Sequence, residues 1–463
     1  MGIASIFRRA PDRLSAATAN AVKPHVSPER AIADLRQAID KDAQSAANAG
    51  AARVVAQAYQ ALAGLQMQVG QGESAMATLD ELRRYSFGPA AAADIALQLA
   101  ATTLIGEDDL LTLAAWLTEA GRLAEAAPAL QAALEERFPD SALLAVNLGD
   151  ALAAAGDYNG AAVRYRSLID RSPDEGPGLL SRLRGLADAA PSDQLAQETL
   201  GLVLFRQGHP AEAATRLATA LALGDLPALS LLTLAEAYLI LGRLLPAVPV
   251  LQRLLDKGEY DAALSRTCER ALGLPEARSG EAGRALERIA GDALFRQARH
   301  AEALAHYQRA LAILTAEGNG RLFAQSLVDR LAELARRMEA PAAAGALLAL
   351  GQARLLAGSP EAALTAYGEA VVADHNAAPR AIDGLKGLIA AAPALLSARL
   401  QMVDLQLSVS DWRGALDTLE AIRHEMHVKR GATVEPYRRL LAGVEAAGAG
   451  LIGHELLLAG ALY

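Results

Sequence analysis

One stretch restricts what this chain can fold into more than any other. Ala142 to Pro173, ALLAVNLGDALAAAGDYNGAAVRYRSLIDRSP, reads as two amphipathic helices joined by a tight turn at Gly156-Asp157-Tyr158. Gly149 in the first helix and Ala161 in the second are small, so the two helices can approach closely. Tyr165 fills the space between the pair and its neighbours. Pro173 stops the second helix, because it has no amide donor and clashes with the preceding turn.

The same arrangement returns along the chain. The turn glycines Gly208 and Gly242 are 34 residues apart (242 minus 208), and the small residues Ala213 and Ala247 keep step with them. Chance turns would not keep that register. Further copies carry Ala75 with Leu79, Ala126 with Leu130, Ala303 with Tyr307, Ala363 with Tyr367, and Ala415 with Leu419. A longer repeat lies over the short one. An offset of 202 residues (351 minus 149) matches Gly149 with Gly351, Gly156 with Gly358, Ala161 with Ala363 and Tyr165 with Tyr367. It also matches Leu183-Arg184-Gly185-Leu186 with Leu385-Lys386-Gly387-Leu388. Single helices are expected between the pairs, at 90–106, 178–191 and 321–338. The one at 178–191 is copied with its repeat, which points to block duplication or to a structural need for that helix.

Gly149, Ala161, Tyr165 and Pro173 resemble the tetratricopeptide repeat, a unit of about 34 residues. The resemblance extends over nearly all of residues 28 to 463. It implies an all-α fold: an α-solenoid of about eight helical hairpins with interposed single helices, each repeat touching its neighbours. The expected organisation is a flexible leader over 1–28, a repeat block over 29–260, an irregular junction over 261–282 and a second block over 283–463. The last block ends in an apolar terminal segment. The 4% aromatic content, within 52% apolar residues that are mostly Ala and Leu, suits close helix packing with few large anchors.

The resemblance also implies a binding role, with the first helix of each pair lining a concave groove. On that register the groove candidates are Asp150, Glu198, Phe205, Arg206, Glu236, Asp292, Phe295, Arg296, Gln352 and Asp404. Leu204-Phe205-Arg206-Gln207 recurs as Leu294-Phe295-Arg296-Gln297 at the same place in two repeats. An aromatic beside an arginine is the composition of an interface hot spot. It is also what a half-packed ring beside a solvated cation looks like. Some tetratricopeptide proteins clamp a carboxylate with Lys and Asn on the first helices. Here Asp150 and Glu198 stand on those helices and Lys is scarce, so the likeness stops short of that clamp.

Several function classes lose support. The net charge of −9, with both signs mixed along the chain, argues against a nucleic-acid partner. The single cysteine, Cys268, rules out an internal disulfide and fits a reducing, cytoplasmic setting. In its helical context it reads as a small apolar filler. The first residues, MGIASIFRRAPDRL, lack the order of a secretory signal. Ile3, Ile6 and Phe7 beside Arg8 and Arg9 would suit a membrane surface or a partner if they formed a helix, so residues 1–9 are the place for any membrane contact. Charges interrupt every long apolar run.

No catalytic set is visible. His424 and His427 are too few for a metal site, and HEMH brings the second histidine one place early for the zinc motif. No phosphate loop or nucleophile elbow occurs. Neither a cofactor, a metal nor an enzymatic activity is therefore expected. The leading function is a non-catalytic scaffold or adaptor that holds a peptide or helix of another protein. The alternative is a structural protein that self-associates as a homo-oligomer, through the N-terminal leader or the apolar Leu456, Leu457, Leu458 and Leu462. Those leucines either fold back on the preceding repeat or meet another chain.

Overall fold

The computed structural model describes residues 3–48, 50–318, 320–425 and 431–446, and all regular structure among them is helical. The chain forms two compact units, Met1–Asp225 and Leu226–Tyr463. The first contains α1 (Ile3–Ala21), α2 (Pro28–Asn48), α3 (Ala52–Gln68), α4 (Gly72–Arg83), α5 (Gly88–Ala100) and α6 (Glu107–Glu119). It continues with α7 (Ala127–Glu136), α8 (Ala142–Ala154), α9 (Tyr158–Arg171), α10 (Gly176–Ala189), α11 (Gln194–Arg206) and α12 (Pro210–Leu223). The second contains α13 (Ala228–Ile240), α14 (Leu244–Lys257), α15 (Asp261–Leu272), α16 (Gly280–Arg296), α17 (His300–Glu317) and α18 (Arg321–Arg337). It continues with α19 (Ala342–Leu356), α20 (Pro360–Ala373), α21 (Ala378–Ala391), α22 (Leu396–Ser408), α23 (Trp412–Glu425) and α24 (Gly431–Ala446).

The α8–α9 hairpin shows how the sequence builds its unit. Ser141 starts α8 by accepting a hydrogen bond from the Leu144 amide at 3.0 Å. Gly156, at φ 81°, ends it in the left-handed region, and the Asp157 amide turns back to the Leu152 carbonyl at 2.9 Å. The Asp157 carboxylate then caps α9 through the Gly160 amide, also at 2.9 Å. The helix ends at Arg171, and Pro173 opens a 3-10 turn. The left-handed step two residues before a helix recurs along both units. Ala298 at φ 59° and Ser410 at φ 61° take it where the other copies have glycine.

Packing inside six of the hairpins follows a rule of compensating volume. The alanines that open each second helix, Ala75, Ala126, Ala161, Ala213, Ala247, Ala303, Ala363 and Ala415, are all buried. Gly149, Gly291 and Gly351 lie flat against Tyr165, Tyr307 and Tyr367, where an added Cβ would fall 2.4, 2.5 and 2.5 Å from the rings. The same two positions hold the buried pairs Ala63 and Leu79, Ala114 and Leu130, and Ala235 and Leu251. In these six hairpins a larger first residue goes with a smaller second one, as close-packed interiors require, while Gly201 with Leu217 and Val403 with Leu419 depart from it.

Single helices stand between hairpins, as α5, α10, α15, α18 and α21 do. Each turns an apolar stripe inward, such as Leu179, Leu183 and Leu186 of α10, or Leu327, Leu331 and Leu334 of α18.

Two expectations about organisation need correction. The stretch expected to be a flexible leader is largely the helix α1, which packs on α2 and buries Ala10 and Leu14. Arg13 ties it to the almost buried Asp42 at 2.5 Å. Apolar spacing in α1 thus earns it a place in the core, which its loose composition concealed. The division into units falls at Asp225–Leu226, ahead of the expected junction at 261–282. That junction contains α15, whose buried Leu264, Cys268 and Ala271 continue the packing through a glycine-rich stretch. The apolar residues Leu456, Leu457, Leu458 and Leu462 lie outside the described residues, as do His427 and the side chains of Ile3, Ile6 and Phe7.

Candidate functional site

Five of the expected groove residues share one register position. Asp150, Glu236, Asp292, Gln352 and Asp404 each stand on a first helix, the same distance before the left-handed turn residues Gly156, Gly242, Ala298, Gly358 and Ser410. Four of them are held by an arginine from the helix after the hairpin. Arg182 of α10 binds Asp150 through Nε at 2.8 and 2.9 Å. Arg270 of α15 binds Glu236. Arg330 of α18 donates to Asp292 at 2.6 Å, and Arg439 of α24 meets Asp404 at 2.8 Å. These bridges tie each hairpin to the next helix.

Two of the bridges also engage the hairpin tyrosine. The Tyr165 hydroxyl donates to Asp150 at 2.6 Å, and that of Tyr307 donates to Asp292 at 2.8 Å. Burial, then the hydrogen bond and charge of Asp150, push the Tyr165 phenol well above its usual range. Burial and the charge of Asp292 do the same for Tyr307. Asp292 is the most enclosed of these carboxylates, with 11% of its side chain exposed, and Arg288 joins it at 3.2 Å. Burial lowers the pKa of Arg288; at Arg330 burial is again the largest single influence, but the bond and charge of Asp292 with the neighbouring Tyr307 and Asp329 together outweigh it and raise the pKa.

The fifth position differs. Gln352 replaces the acid and donates to Thr315 at 3.1 Å. Gly384 stands where the 202-residue offset would put a counterpart of Arg182. The Tyr367 hydroxyl has no hydrogen-bond partner among the described residues, and burial alone pushes its phenol up to about 12. The ring is clasped between Gly351 and Gly384, whose added Cβ atoms would fall 2.5 and 2.6 Å from it.

Cavities open beside three of these positions, all within the second unit. The one at Glu236, about 600 Å³, is lined by Arg266, Thr267, Glu269 and Arg270. The one at Asp292, about 390 Å³, brings together Phe295, Arg296, Asp329, Arg330 and Glu333. The one at Gln352, about 550 Å³, is walled by Leu348, Leu355, Leu356 and Tyr367.

The sequence profile of the tetratricopeptide repeat matches residues 117–176 and 198–262. Those two stretches carry tetratricopeptide repeats. No curated protein matches it. Among solved structures it is similar to the P58(IPK) TPR domain, at 15% identity over 79% of this chain and 93% of that one, TM-score 0.23. It is also similar to human IFIT1, a dimer with m7Gppp-AAAA, at 14% identity over 90% and 94%, TM-score 0.23. A third is YrrB, a TPR protein with an unusual peptide-binding site, at 16% identity over 59% and 96%, TM-score 0.18. Similarities of this size carry no conclusion about what the chain binds. The tetratricopeptide fold itself suggests an interaction scaffold, and proteins built on it are generally non-catalytic.

Within the repeats, the other expected residues have different surroundings. Glu198 of α11 is almost buried and meets Arg166 at 3.2 Å. Phe205 packs half-buried against the core of the first unit, and Arg206 beside it is exposed. In the echoed motif, Arg337 lies over the Phe295 ring at 4.9 Å, and Arg296 is turned to the Leu255 carbonyl and to Asp261. The two motifs therefore share their helix position and backbone bonds and differ in their side-chain polar contacts. His424 is exposed beside Arg423. Among the described residues no His, Cys, Asp and Glu side chains gather as a metal site, and no helix is long and apolar enough to cross a membrane. Cys268 is buried, which pushes its thiol up and away from the reactive thiolate.

Sequence reading missed the arginines that close the bridges. Asp150 to Arg182 and Asp292 to Arg330 have different chain separations, 32 and 38 residues, so no fixed spacing announces them. The exchange of Gly and Tyr for Ala and Leu was readable, since both positions keep register with the turn.

Proposed function

We propose that this protein is a non-catalytic scaffold whose second unit holds a segment of another protein along the row of cavities at Glu236, Asp292 and Gln352. The observation that carries this reading is the recurrence of one register position beside three cavities of about 600, 390 and 550 Å³ in successive repeats. Pockets that recur from repeat to repeat suit an extended or helical segment that presents several side chains. The mixed charges at Arg266, Arg270, Asp329 and Glu333 would set its register more than its affinity.

The test places a photo-crosslinking amino acid at Arg266, at Asp329, or at Val372, each in the full chain expressed in its cell of origin. Val372 is 90% exposed on a second helix and lines none of the three cavities. A shared protein adduct from Arg266 and Asp329, absent from Val372, is expected. Equal adducts from all three positions, or none from the cavity positions, would remove the reading.

A further inference from the structure

The Gln352 cavity is more than another member of the row. At Asp150 and Asp292 an arginine from the next helix and the tyrosine hydroxyl both meet the acid, so the chain's own charges line that place, including the cavity at Asp292. At Gln352 neither charge is present, and no side chain can be added at Gly384 without striking the Tyr367 ring. What is left is an open space with three half-buried leucines around it. Keeping Leu348, Leu355 and Leu356 partly wet forgoes burial worth roughly 25 cal/mol per Å². An apolar concavity with a few polar groups at its rim is the form of a binding pocket.

The rim adds a charge preference. Arg380 lines the cavity, is exposed, and has no ion pair among the described residues. The acid beside it, Asp383, is engaged by Lys386 at 3.0 Å. An incoming segment therefore meets an apolar wall and one uncommitted cation.

We propose that the Gln352–Gly384 cavity receives one aromatic side chain of a partner protein segment, with a carboxylate next to that side chain paired to Arg380. The inference rests on the reading that the second unit binds protein segments, and it adds the chemistry of the anchor. The volume exceeds what a short aliphatic chain fills, and the leucines and the Tyr367 edge offer a ring the offset and edge contacts it prefers. The neighbouring carboxylate gains a charge-assisted bond to a guanidinium without an internal bridge having to break.

The experiment uses the full chain and three fluorescent peptides in one glycine-serine frame. The first carries phenylalanine between glutamates, the second alanine between glutamates, and the third phenylalanine between lysines. Fluorescence polarisation is expected to show the first binding at least about tenfold tighter than either of the others. Arg380→Glu should reverse the order of the first and third. Gly387→Phe should cost the first peptide about tenfold or more, by filling the cavity from α21. That position tolerates a side chain, since an added Cβ would make only an ordinary 3.8 Å contact with Leu355. An unchanged thermal melt for Gly387→Phe shows that the fold is kept. The proposal falls if the first peptide does not bind, if both charge patterns bind alike, or if Gly387→Phe leaves binding intact. The two readings fail separately. Adducts at Arg266 and Asp329 with no effect of Gly387→Phe would keep the segment-binding reading and end this one. Peptide binding lost on Gly387→Phe, without those adducts, would keep this cavity as the anchor site, confine segment binding to it and end the reading of a row.

Discussion

In the α8–α9 hairpin the Tyr165 ring lies on Gly149, its hydroxyl donates to Asp150, and Arg182 holds that carboxylate from the next helix. The α16–α17 hairpin repeats this with Gly291, Tyr307, Asp292 and Arg330. In α19–α20 the ring has the same seat on Gly351, yet Gln352 and Gly384 leave it clasped by shape alone, with open space beside it. The seat is set by volume, which every tyrosine hairpin must satisfy. The polar bridge is an addition that fastens the hairpin to its neighbour. Where it is missing, the chain gives up a fastening, and the cavity there is walled by leucines, whereas those beside the bridged Glu236 and Asp292 are lined by the bridging charges.

The largest separation between these hairpins should come from their polar members. Asp292→Ala leaves Arg288 and Arg330 partly enclosed without their carboxylate and is expected to cost about 2–3 kcal/mol by chemical denaturation. Gln352→Ala at the matching position should cost under about 0.5 kcal/mol. Equal losses would mean that the bridge contributes nothing that the amide does not.

Next comes the seat itself. Gly149→Ala should cost about 1–3 kcal/mol, since the new methyl meets the Tyr165 ring. Adding Tyr165→Leu should recover much of that loss, because Ala with Leu is the pairing in other hairpins. Additive losses in the double variant would break the volume rule.

A smaller difference is expected at the hydroxyls. Tyr165→Phe and Tyr307→Phe should each lose about 1 kcal/mol, and Tyr367→Phe close to none. Titration adds a sign. These phenols are raised in the folded chain, so stability is present below the unfolded value near pH 10 and falls as pH climbs through it. Tyr367, pushed up to about 12 by burial, should ionise before Tyr165 and Tyr307. Tyrosinate absorbance at about pH 11 should therefore report fewer than the 10 phenolates that the sequence allows. Full ionisation there with the fold intact would contradict the burial of these rings.

The smallest effect is a gain. Ala298→Gly and Ser410→Gly remove a side chain from a left-handed turn, and each should raise stability by up to about 1 kcal/mol in a thermal melt. A loss at either would mean that entropy of the unfolded glycine outweighs the relieved strain.

The hairpins, their turns and the buried alanines were legible because each is a local matter. A left-handed turn favours glycine, a close helix crossing favours alanine, and a helical period holds both at fixed spacing. Ala298 and Ser410 show that even an exception to the turn residue is carried by register. The place of α1 in the core was hidden, since its partners α2 and α3 are separate elements whose faces had to be assembled first.

The candidate site was legible only in its positions. Register put Asp150, Glu236, Asp292, Gln352 and Asp404 on equivalent turns, because one helical period fixes where a side chain stands on its helix. Whether such a residue is fastened or left beside open space depends on the helix that follows. Arg182 and Arg330 put a charge at two of these places and Gly384 puts none at a third, at separations the intervening turns decide. The sequence alone determined the repeating hairpin, for its rules act within a few helical turns. Tertiary structure decided which repeats are bridged and which cavities are lined by charge or by leucine, because charge pairing and cavity volume depend on distances between helices that local spacing does not encode.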